Sequence, residues 1–571
     1  MTATAASARP SPSLKEVRPF HEIVSPQRRR LIMIMVLIPV FIGSLDLTIV
    51  SAILPEILTR LNIPVDTNLA LASWMVTGYL LAYTVSMMVM GRVSDMVGRR
   101  GAFLVSLAIF ILGSYWVATA HEFPTVVLND FARRVLGQRP DLNILTLIAI
   151  IMGRVIQALG AGAIVPVSVA LVADLYPPTR RAGPVGLVGA FDTLGWVLGH
   201  LYGGLMVNFF ALHGETIRQN LLGIGINTPA PDWRTLFLFN VPLGLIAFGL
   251  MWWSLRRVEH PVSEGRFDFV GAGLISASLV ALVLGLGGNT DVTGTTSLEA
   301  LNESMSTLPY NPTLIALAVL FFGLFLAWEW RAKHPLLELH LFRDRSISAA
   351  TLTNLLVGFC LMLGLVSVPL LVNLRADDAS ASAIALAAER AGILLSALTI
   401  PMALAAIPGG WLSSKIGYRL TTTIGMALAG IGFIAAGTIW RLDTPEPIMA
   451  LHMILVGVGL GLTIAPIGTV VINHVREDQR GVASALVLIM RLIGMTLAIS
   501  SMTTFALNRV SYLVSNTRAS FPVGLNADEI QRLSVNAYLN SGTQVIGELL
   551  LVGGVVCVLA LVPAMLIRAR D

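Results

Sequence analysis

Charge is the scarcest property of this chain. Asp, Glu, Lys and Arg make up only 12% of its 571 residues, whereas hydrophobic residues make up 55% and the mean hydropathy is +0.78. Soluble domains carry roughly 25% charged and 45–50% apolar residues. The shortage of charge therefore excludes a soluble globular protein and indicates an integral membrane protein.

Cysteine is nearly absent too, since Cys360 and Cys557 are the only two. Both lie in apolar runs with no nearby His or Cys in the sequence, so we interpret them as packing residues and expect no metal site. The chain also lacks a P-loop, a zinc-ligand helix and a nucleophile elbow, so we expect no cofactor and no use of ATP. The net charge of +5 is spread over short loops, which favours contact with lipid headgroups over nucleic acid.

Long apolar runs are what the sequence has in abundance. Fourteen are long enough to cross about 30 Å of hydrocarbon, and each must be a helix because lipid cannot satisfy backbone hydrogen bonds. They begin near residues 31, 70, 102, 144, 184, 235, 269, 313, 347, 390, 420, 448, 482 and 544. The predicted fold class is all-α and polytopic.

Basic residues orient these spans. With the N-terminus inside, about 24 of the 38 Lys and Arg residues fall in cytoplasmic segments and about 12 outside, although the outer loops are longer in total. This bias predicts a protein of the cell (inner) membrane with both termini in the cytoplasm. The first run follows Arg28–Arg30, lasts about two dozen residues and lacks a cleavage site, so it is a retained span.

Two outer loops carry helical patterns. Residues 121–143 place Val127, Phe131 and Val135 at four-residue spacing, which gives a helix one apolar face. Within residues 508–543, Asn526 and Glu529 have the spacing of a helix cap. We expect helices that lie on the membrane surface, with a docking surface for an extracytoplasmic partner protein as the alternative.

Two predicted cytoplasmic connections resemble each other, "GRVSDMVGRRGA" at Gly91–Ala102 and "GWLSSKIGYRLT" at Gly410–Thr421. Such recurrence indicates a duplicated six-helix bundle with an inserted pair of helices. The predicted divisions are a cytoplasmic tail at 1–30, a first bundle at 31–254, a linker with two inserted helices at 255–346 and a second bundle at 347–571.

The first of these connections carries a specific motif, G-x-x-x-D-x-x-G-R-[KR], at Gly91, Asp95, Gly98, Arg99 and Arg100. With it, the chain resembles the major facilitator superfamily, and within it the 14-span drug:proton antiporter branch. The segments "LDLTIVSAILPEI", "RVIQALGAGA" and "WRTLFLFNVPLG" extend the resemblance, which is strongest to mycobacterial exporters of drugs and lipids. It implies the major facilitator fold.

This chain departs from the family pattern in two places. The antiporter motif of the fifth span has His200 where the family has proline, which makes the usual helix kink doubtful. The glycines of this motif still permit close contact with a neighbouring helix. They are Gly195, Gly199, Gly203 and Gly204. In the second connection Ser414 stands where Asp95 stands in the first, so we expect two electrostatically unequal gates.

Four charged residues lie well inside predicted spans, where each costs about 2.5–3.5 kcal/mol: Asp46, Arg154, Asp192 and Arg491. Their charges sum to zero, so each carboxylate can form an ion pair with one of the arginines. Asp46 is the candidate proton carrier, with a static ion pair as the alternative. Arg154 and Gln157 share a helix face, and the family resemblance assigns Arg154 to proton relay; a bond to backbone carbonyls is the alternative.

Asp192 is a candidate second titrating or cation-attracting site, with a structural hydrogen bond as the alternative. Arg491 lies at similar depth and cannot release its proton, so its expected role is to exchange partners or hold a carboxylate charged.

The family resemblance also assigns a gate. It implies that Asp95 faces the N-terminus of a helix in the other half. It further implies that the motif arginine meets an acidic residue ending the fourth span, here Asp174. As cytoplasmic residues, Asp95, Arg99 and Arg100 are expected to be solvated; topology signalling by positive charge is the alternative role.

These observations predict a proton-coupled exporter of lipophilic drugs or lipids that works by alternating access as a monomer. Substrate, protons and membrane lipids are its expected partners. A proton symporter importing a polar solute is the second hypothesis, and it predicts more hydrogen-bonding residues along the spans than the sequence has. A membrane-embedded lipid enzyme is the third, and it predicts a cluster of acid, base and nucleophile that the sequence does not show.

Overall fold

The computed structural model describes most of the chain: residues 24–63, 68, 71–135, 137, 140–225, 227–255, 266–286, 311–375, 381–522 and 526–568. Residues 1–23 of the predicted tail, and 256–265 and 287–310 of the predicted linker, lie outside the described residues. Within the described ranges every regular element is helical.

Fifteen α-helices are numbered here in chain order. They are α1 Pro26–Arg60, α2 Trp74–Val97, α3 Arg99–Ala118, α4 Phe123–Val135, α5 Leu142–Leu175, α6 Ala182–Gly223, α7 Trp233–Leu255, α8 Phe269–Gly285, α9 Pro312–Glu329, α10 Arg345–Leu374, α11 Ala381–Ile416, α12 Tyr418–Ile439, α13 Glu446–Asn473, α14 Arg480–Ala519 and α15 Ala527–Leu566.

Thirteen of these helices are long and apolar enough to cross a membrane. The fourteenth apolar helix, α8, has 17 residues, and it packs against α9 and α2 as part of the inserted pair. The all-α polytopic class is thus confirmed. The boundaries proposed for the four divisions of the chain stay predictions.

The two bundles repeat one packing scheme. In the first, α3 packs on α5 and α7 while α1 packs on α6; in the second, α12 packs on α13 and α15 while α10 packs on α14. The connection α2–α3 turns at Gly98 with φ 92°, and the connection α11–α12 turns at Gly417 with φ 89°. Positive φ favours glycine, so the recurring motif marks the same turn in both bundles.

The two most extensive contacts between the bundles are α2 against α14 and α6 against α11. The α2–α3 and α11–α12 connections lie at one end of the molecule, which we call the inner end; the opposite end is the outer end. The contacts between bundles described below lie at the inner end and at mid-depth.

The predicted surface-lying loop at residues 508–543 is wrong. The last two spans continue through it as α14 and α15, 40 residues each and therefore about 60 Å long, twice the thickness of the hydrocarbon. Asn526 and Glu529 do form a capping box, but it begins α15 itself. Arg509 and Glu548 join the two helices by two hydrogen bonds of 2.9 Å.

The other predicted outer helix exists as α4. Its side chains Val127, Phe131 and Val135 are all more than half exposed, as the amphipathic spacing requires. Its placement on the membrane surface stays a prediction.

The two cysteines are buried packing residues, as predicted, and they also contact each other. Cys360 in α10 and Cys557 in α15 are fully buried, and their Sγ atoms lie 3.5 Å apart. They are far apart in sequence, which is why spacing alone gave no sign of a pair. Packing of α10 on α15 brings them together.

Oxidation tests this packing. We expect copper–phenanthroline treatment of purified protein to link Cys360 to Cys557, because the thiols are within a small side-chain rotation of the disulfide length of about 2.05 Å. Mass spectrometry of an unreduced digest would identify the linked peptides. The Cys557→Ala variant is the control, and failure of the wild-type thiols to join would contradict this register of α10 on α15.

Candidate functional site

The first buried charge cluster lies within the first bundle and joins α1, α5 and α7. Arg154 Nη1 donates to Asp46 Oδ2 at 2.5 Å, and Arg154 Nη2 donates to the backbone carbonyl of Asp46 at 3.2 Å. Asn240 Nδ2 donates to Asp46 Oδ1 at 3.0 Å. Asp46 is 1% and Arg154 0% exposed. The carboxylate is therefore paired and sealed in this state.

Gln157 extends this cluster across α5 to α3. Its Oε1 accepts from Arg154 Nη1 at 2.7 Å, and its Nε2 donates to Ser114 Oγ at 2.8 Å. The guanidinium of Arg154 also lies 3.9 Å from the ring centroid of Tyr79 in α2. A planar guanidinium that meets a carboxylate, an amide and an aromatic ring is held in one orientation.

The second buried charge cluster joins the two bundles. Arg491 Nη2 in α14 donates to Asp192 Oδ2 in α6 at 3.0 Å, and Ser44 Oγ in α1 donates to Asp192 Oδ1 at 2.7 Å. Asp192 lies ten residues into α6 and Arg491 eleven residues into α14, which places both about 15 Å from the inner end. That depth is near the middle of a bilayer.

Glycines in α6 position Asp192. A Cβ atom on Gly195, Gly199 or Gly203 would come within about 3.0 Å of the α1 backbone or its side chains, so α6 lies directly on α1 and Asp192 reaches Ser44. Gly204 faces open space and takes no part in this contact. The helix is continuous through this motif; the side chain of His200 lies outside the described residues.

A small cavity lies between the bundles beside Asp192 and Arg491. Its volume is about 40 Å³, which is enough to hold water. Its polar members are Asp192, Asn354, Ser484 and Arg491. The remaining lining is aliphatic side chains and glycine, including Val165, Val169, Val185, Val188 and Ile464.

The motif at the α2–α3 connection closes the inner end. Asp95 Oδ1 and Oδ2 accept from the backbone N–H groups of Gly481 at 2.9 Å and Val482 at 3.0 Å, at the N-terminus of α14 in the other bundle. Gly91 allows this approach, because a Cβ there would lie 2.7 Å from Gly481 O. A carboxylate at a helix N-terminus is stabilised by free N–H groups and the helix dipole.

Arginines complete this gate. Arg99 pairs with Asp95 and, through Nε, with Asp174 Oδ2 at 3.2 Å, while Arg480 Nη1 of the other bundle donates to Asp174 Oδ1 at 2.6 Å. Asp174 thus receives one arginine from each bundle. Arg100 is half-buried beside this network.

The expectation that the gate residues are solvated is wrong. Asp95 is 0% and Arg99 1% exposed, because the two bundles close over the connection and exclude water from it. Breaking a buried, hydrogen-bonded pair costs more than breaking an exposed one.

Arg181 supplies a further bond between the bundles, in the connection that precedes α6. Its Nη1 donates to Asn473 Oδ1 at 2.6 Å. Burial, with the positive charge of Arg480 nearby, lowers the pKa of Arg181 to about 10, so the guanidinium stays charged at neutral pH.

The second gate differs, as Ser414 predicted. Gly410 approaches the start of α6, where a Cβ would lie 2.6 Å from Ala182 O, just as Gly91 approaches α14. However, the hydroxyl of Ser414 donates within its own helix to Trp411 O at 2.7 Å and is exposed. The α6–α11 contact therefore lacks the carboxylate that the α2–α14 contact has.

Sequence reasoning missed several members of these clusters. Ser44 and Asn240 are polar residues in apolar runs, and Asn240 stands in a motif quoted above. Because polar residues are rare in such runs, this position in the sequence could have marked both as site residues. No sequence pattern marked Arg480 as a gate residue, since it lies in a connection whose basic residues look like those of other connections. Among the described residues, no three His, Cys, Asp or Glu side chains are grouped as metal ligands.

Two helix bundles with the same packing, closed at one end and joined by an ion pair at mid-depth, have the architecture of a membrane transporter. The chain belongs to the Major Facilitator Superfamily, whose family model matches residues 36–499. This transporter class replaces the enzyme hypothesis.

Curated relatives are close in length to this chain. The triacylglyceride transporter of Mycobacterium tuberculosis is 30% identical over 547 residues, 93% of each chain. That of Mycobacteroides abscessus is 31% identical over 484 residues, 82% of this chain and 81% of its own.

Among solved structures, the proton:xylose symporter XylE matches 94% of this chain with a TM-score of 0.56 at 14% identity. The human organic anion transporter MFSD10 matches 94% with a TM-score of 0.55 at 14% identity. These two structures support the fold alone.

Neutralising the gate carboxylate tests the inner closure. We expect Asp95→Asn to open the inner end, because hydrogen bonds to a charged group contribute about 1.5–3 kcal/mol, equivalent to roughly 10- to 100-fold in population. A Val169→Cys reporter in a Cys360→Ala, Cys557→Ala background would then react at least about tenfold faster with an impermeant maleimide in inside-out vesicles.

The matched control is Ser414→Ala at the equivalent position of the second connection, where no cross-bundle bond is lost. Equal labelling of the Asp95→Asn protein and its parent would contradict the gate.

Proposed function

We propose that this transporter exports lipids of the triacylglyceride class across the cell (inner) membrane in exchange for protons. The inner end faces the cytoplasm in this proposal, together with both termini. The observation that carries the proton coupling is the ion pair of Asp192 and Arg491, which joins the two bundles at mid-depth.

An apolar cargo is supported by the lining of the central cavity and by the relatives. Aliphatic side chains from both bundles surround Asp192 and Arg491. A site for a polar solute needs hydrogen-bonding groups placed to fix its orientation. Most of this lining offers none, so an apolar cargo is the better-supported hypothesis. Drug efflux has no separate observation in its favour.

The coupling follows from the chemistry of the pair. A proton arriving from the outer side neutralises Asp192, and Arg491, which cannot release its own proton, is left without its buried partner. Separation of the bundles lets water solvate Arg491, so the inner end opens. Loss of the proton to the cytoplasm restores the ion pair and draws the inner ends together again.

Asp46 has a different place in this cycle. Its pair with Arg154 lies within one bundle and involves no residue of the other bundle, so it does not by itself lock the gate. Asp46 is a second carboxylate from which a proton can be exchanged.

The free energy released by inward proton movement is sufficient to drive uphill export of a neutral cargo. One proton moving inward across about 100 mV gains about 2.3 kcal/mol, and one pH unit adds about 1.4 kcal/mol. A single proton can therefore sustain a gradient of roughly 500-fold for an uncharged lipid.

Transport assays with carboxylate variants test this function. In proteoliposomes with an imposed pH gradient, we expect wild-type protein to move a fluorescent triacylglyceride uphill and to release protons with it. Asp192→Asn is expected to lose uphill transport by about 100-fold, because no proton can alternate with the ion pair.

Asp130→Asn, on the exposed outer helix α4, is the matched control and is expected to transport normally. Uphill lipid movement by Asp192→Asn and Asp46→Asn at wild-type rates would contradict proton coupling. Absence of lipid movement in wild type, together with pH-driven movement of a lipophilic drug, would contradict the lipid assignment.

A further inference from the structure

Two tyrosine hydroxyls in α2 are buried without a well-formed hydrogen bond. Tyr79 is 0% and Tyr83 1% exposed, and neither hydroxyl oxygen makes a hydrogen bond of normal geometry, although Asp46 lies near Tyr79 and Ser44 near Tyr83. The rings are one helical turn apart and stacked, with centroids 6.0 Å apart and planes 20° apart. Buried hydroxyls are normally hydrogen-bonded, so two neighbouring exceptions call for a functional explanation.

Each tyrosine belongs to a different charged cluster. Tyr79 lies beside Asp46, with its ring against Arg154. Tyr83 lies within electrostatic reach of Asp192 and Arg491 and next to Ser44. Close packing of α5 on α2 fixes this arrangement, since a Cβ on Gly162 would lie 2.3 Å from Tyr83 O.

The two clusters also share α1. Ser44, which donates to Asp192, precedes Asp46 by two residues in that helix. The stacked tyrosines run alongside. Tyr79 packs on Arg154, the partner of Asp46. Tyr83 lies beside Ser44, which donates to Asp192. A phenol hydroxyl both donates and accepts a hydrogen bond, which is the requirement for passing a proton onward.

We propose that Tyr79 and Tyr83 form a proton bridge between Asp46 and Asp192. This inference rests on the proposed proton coupling and adds the route. Each hydroxyl oxygen accepts a proton on one side and releases its own on the other, so no charge or electron is gained or lost by either tyrosine. The hydroxyls act directly or through water admitted when the bundles separate.

The charged groups that face this bridge are Asp46 and Arg154 at Tyr79, and Asp192 and Arg491 at Tyr83. Both arginines stay protonated, so only the two carboxylates can exchange protons through it. The bridge makes them one proton-carrying unit instead of two independent sites.

Phenylalanine substitutions test the bridge, because they remove only the hydroxyl oxygens. We expect Tyr79→Phe and Tyr83→Phe each to lose pH-driven uphill lipid transport by about 100-fold. Lipid counterflow between equal pH values, which needs no net proton movement, is expected to stay within about twofold of wild type. Tyr115→Phe, on the exposed side of α3, is the matched control for both assays.

Three outcomes decide the proposal. Loss of coupling with intact counterflow in both variants supports it. Full coupling in both variants overturns the bridge, and if Asp192→Asn is still uncoupled the proposed function survives. Loss of counterflow as well, in variants whose thermal stability in detergent equals wild type, overturns the bridge because the hydroxyls then serve the lipid path itself.

Discussion

The structure depends on one constraint: a charge buried in the middle of the membrane has to keep an opposite charge beside it. Breaking one partner of a buried pair typically costs about 3–5 kcal/mol, because the remaining charge is left without compensation. In this chain one such pair, Asp192 with Arg491, has its two members in different bundles. In the proposed mechanism, the state of this single carboxylate acts on the relative position of the two halves.

The inner gate and the mid-membrane ion pair share helix α14. Asp95 caps α14 in the other bundle, and Arg491 lies in that same helix, so one rigid element carries both the gate contact and the mid-membrane charge. The contact of α6 with α11 has glycine but no carboxylate at its end. We infer that opening at the inner end involves loss of the charged α2–α14 contact.

Much of the fold and part of the site could be predicted from sequence. The spans followed from the length of apolar runs, and the charged gate with its partner Asp174 followed from a motif with family resemblance. The pair of Cys360 and Cys557 could not, because contacts between distant helices leave no local pattern. The continuous outer helices also escaped prediction, since polar sequence at 508–543 is compatible with either a loop or a solvated helix.

The tyrosines show a further limit. In the sequence, Tyr79 and Tyr83 are two aromatic residues in an apolar span, and aromatic rings in such spans are usually buried. Only the three-dimensional arrangement shows that their hydroxyls make no well-formed hydrogen bond and that each tyrosine lies in a different charged cluster. Chemistry that depends on an unsatisfied group is visible only when all neighbours are placed.

Distances across the inner end test the central claim most directly. Spin labels at Val97→Cys in the first bundle and Ser414→Cys in the second, both exposed, report on this separation when Cys360 and Cys557 are replaced by alanine. Acidification is expected to increase the long-distance population in the parent protein by protonating Asp192. The Asp192→Asn protein is expected to show that population at every pH. An unchanged pH response in Asp192→Asn would contradict the claim that this carboxylate links proton binding to the movement of the bundles.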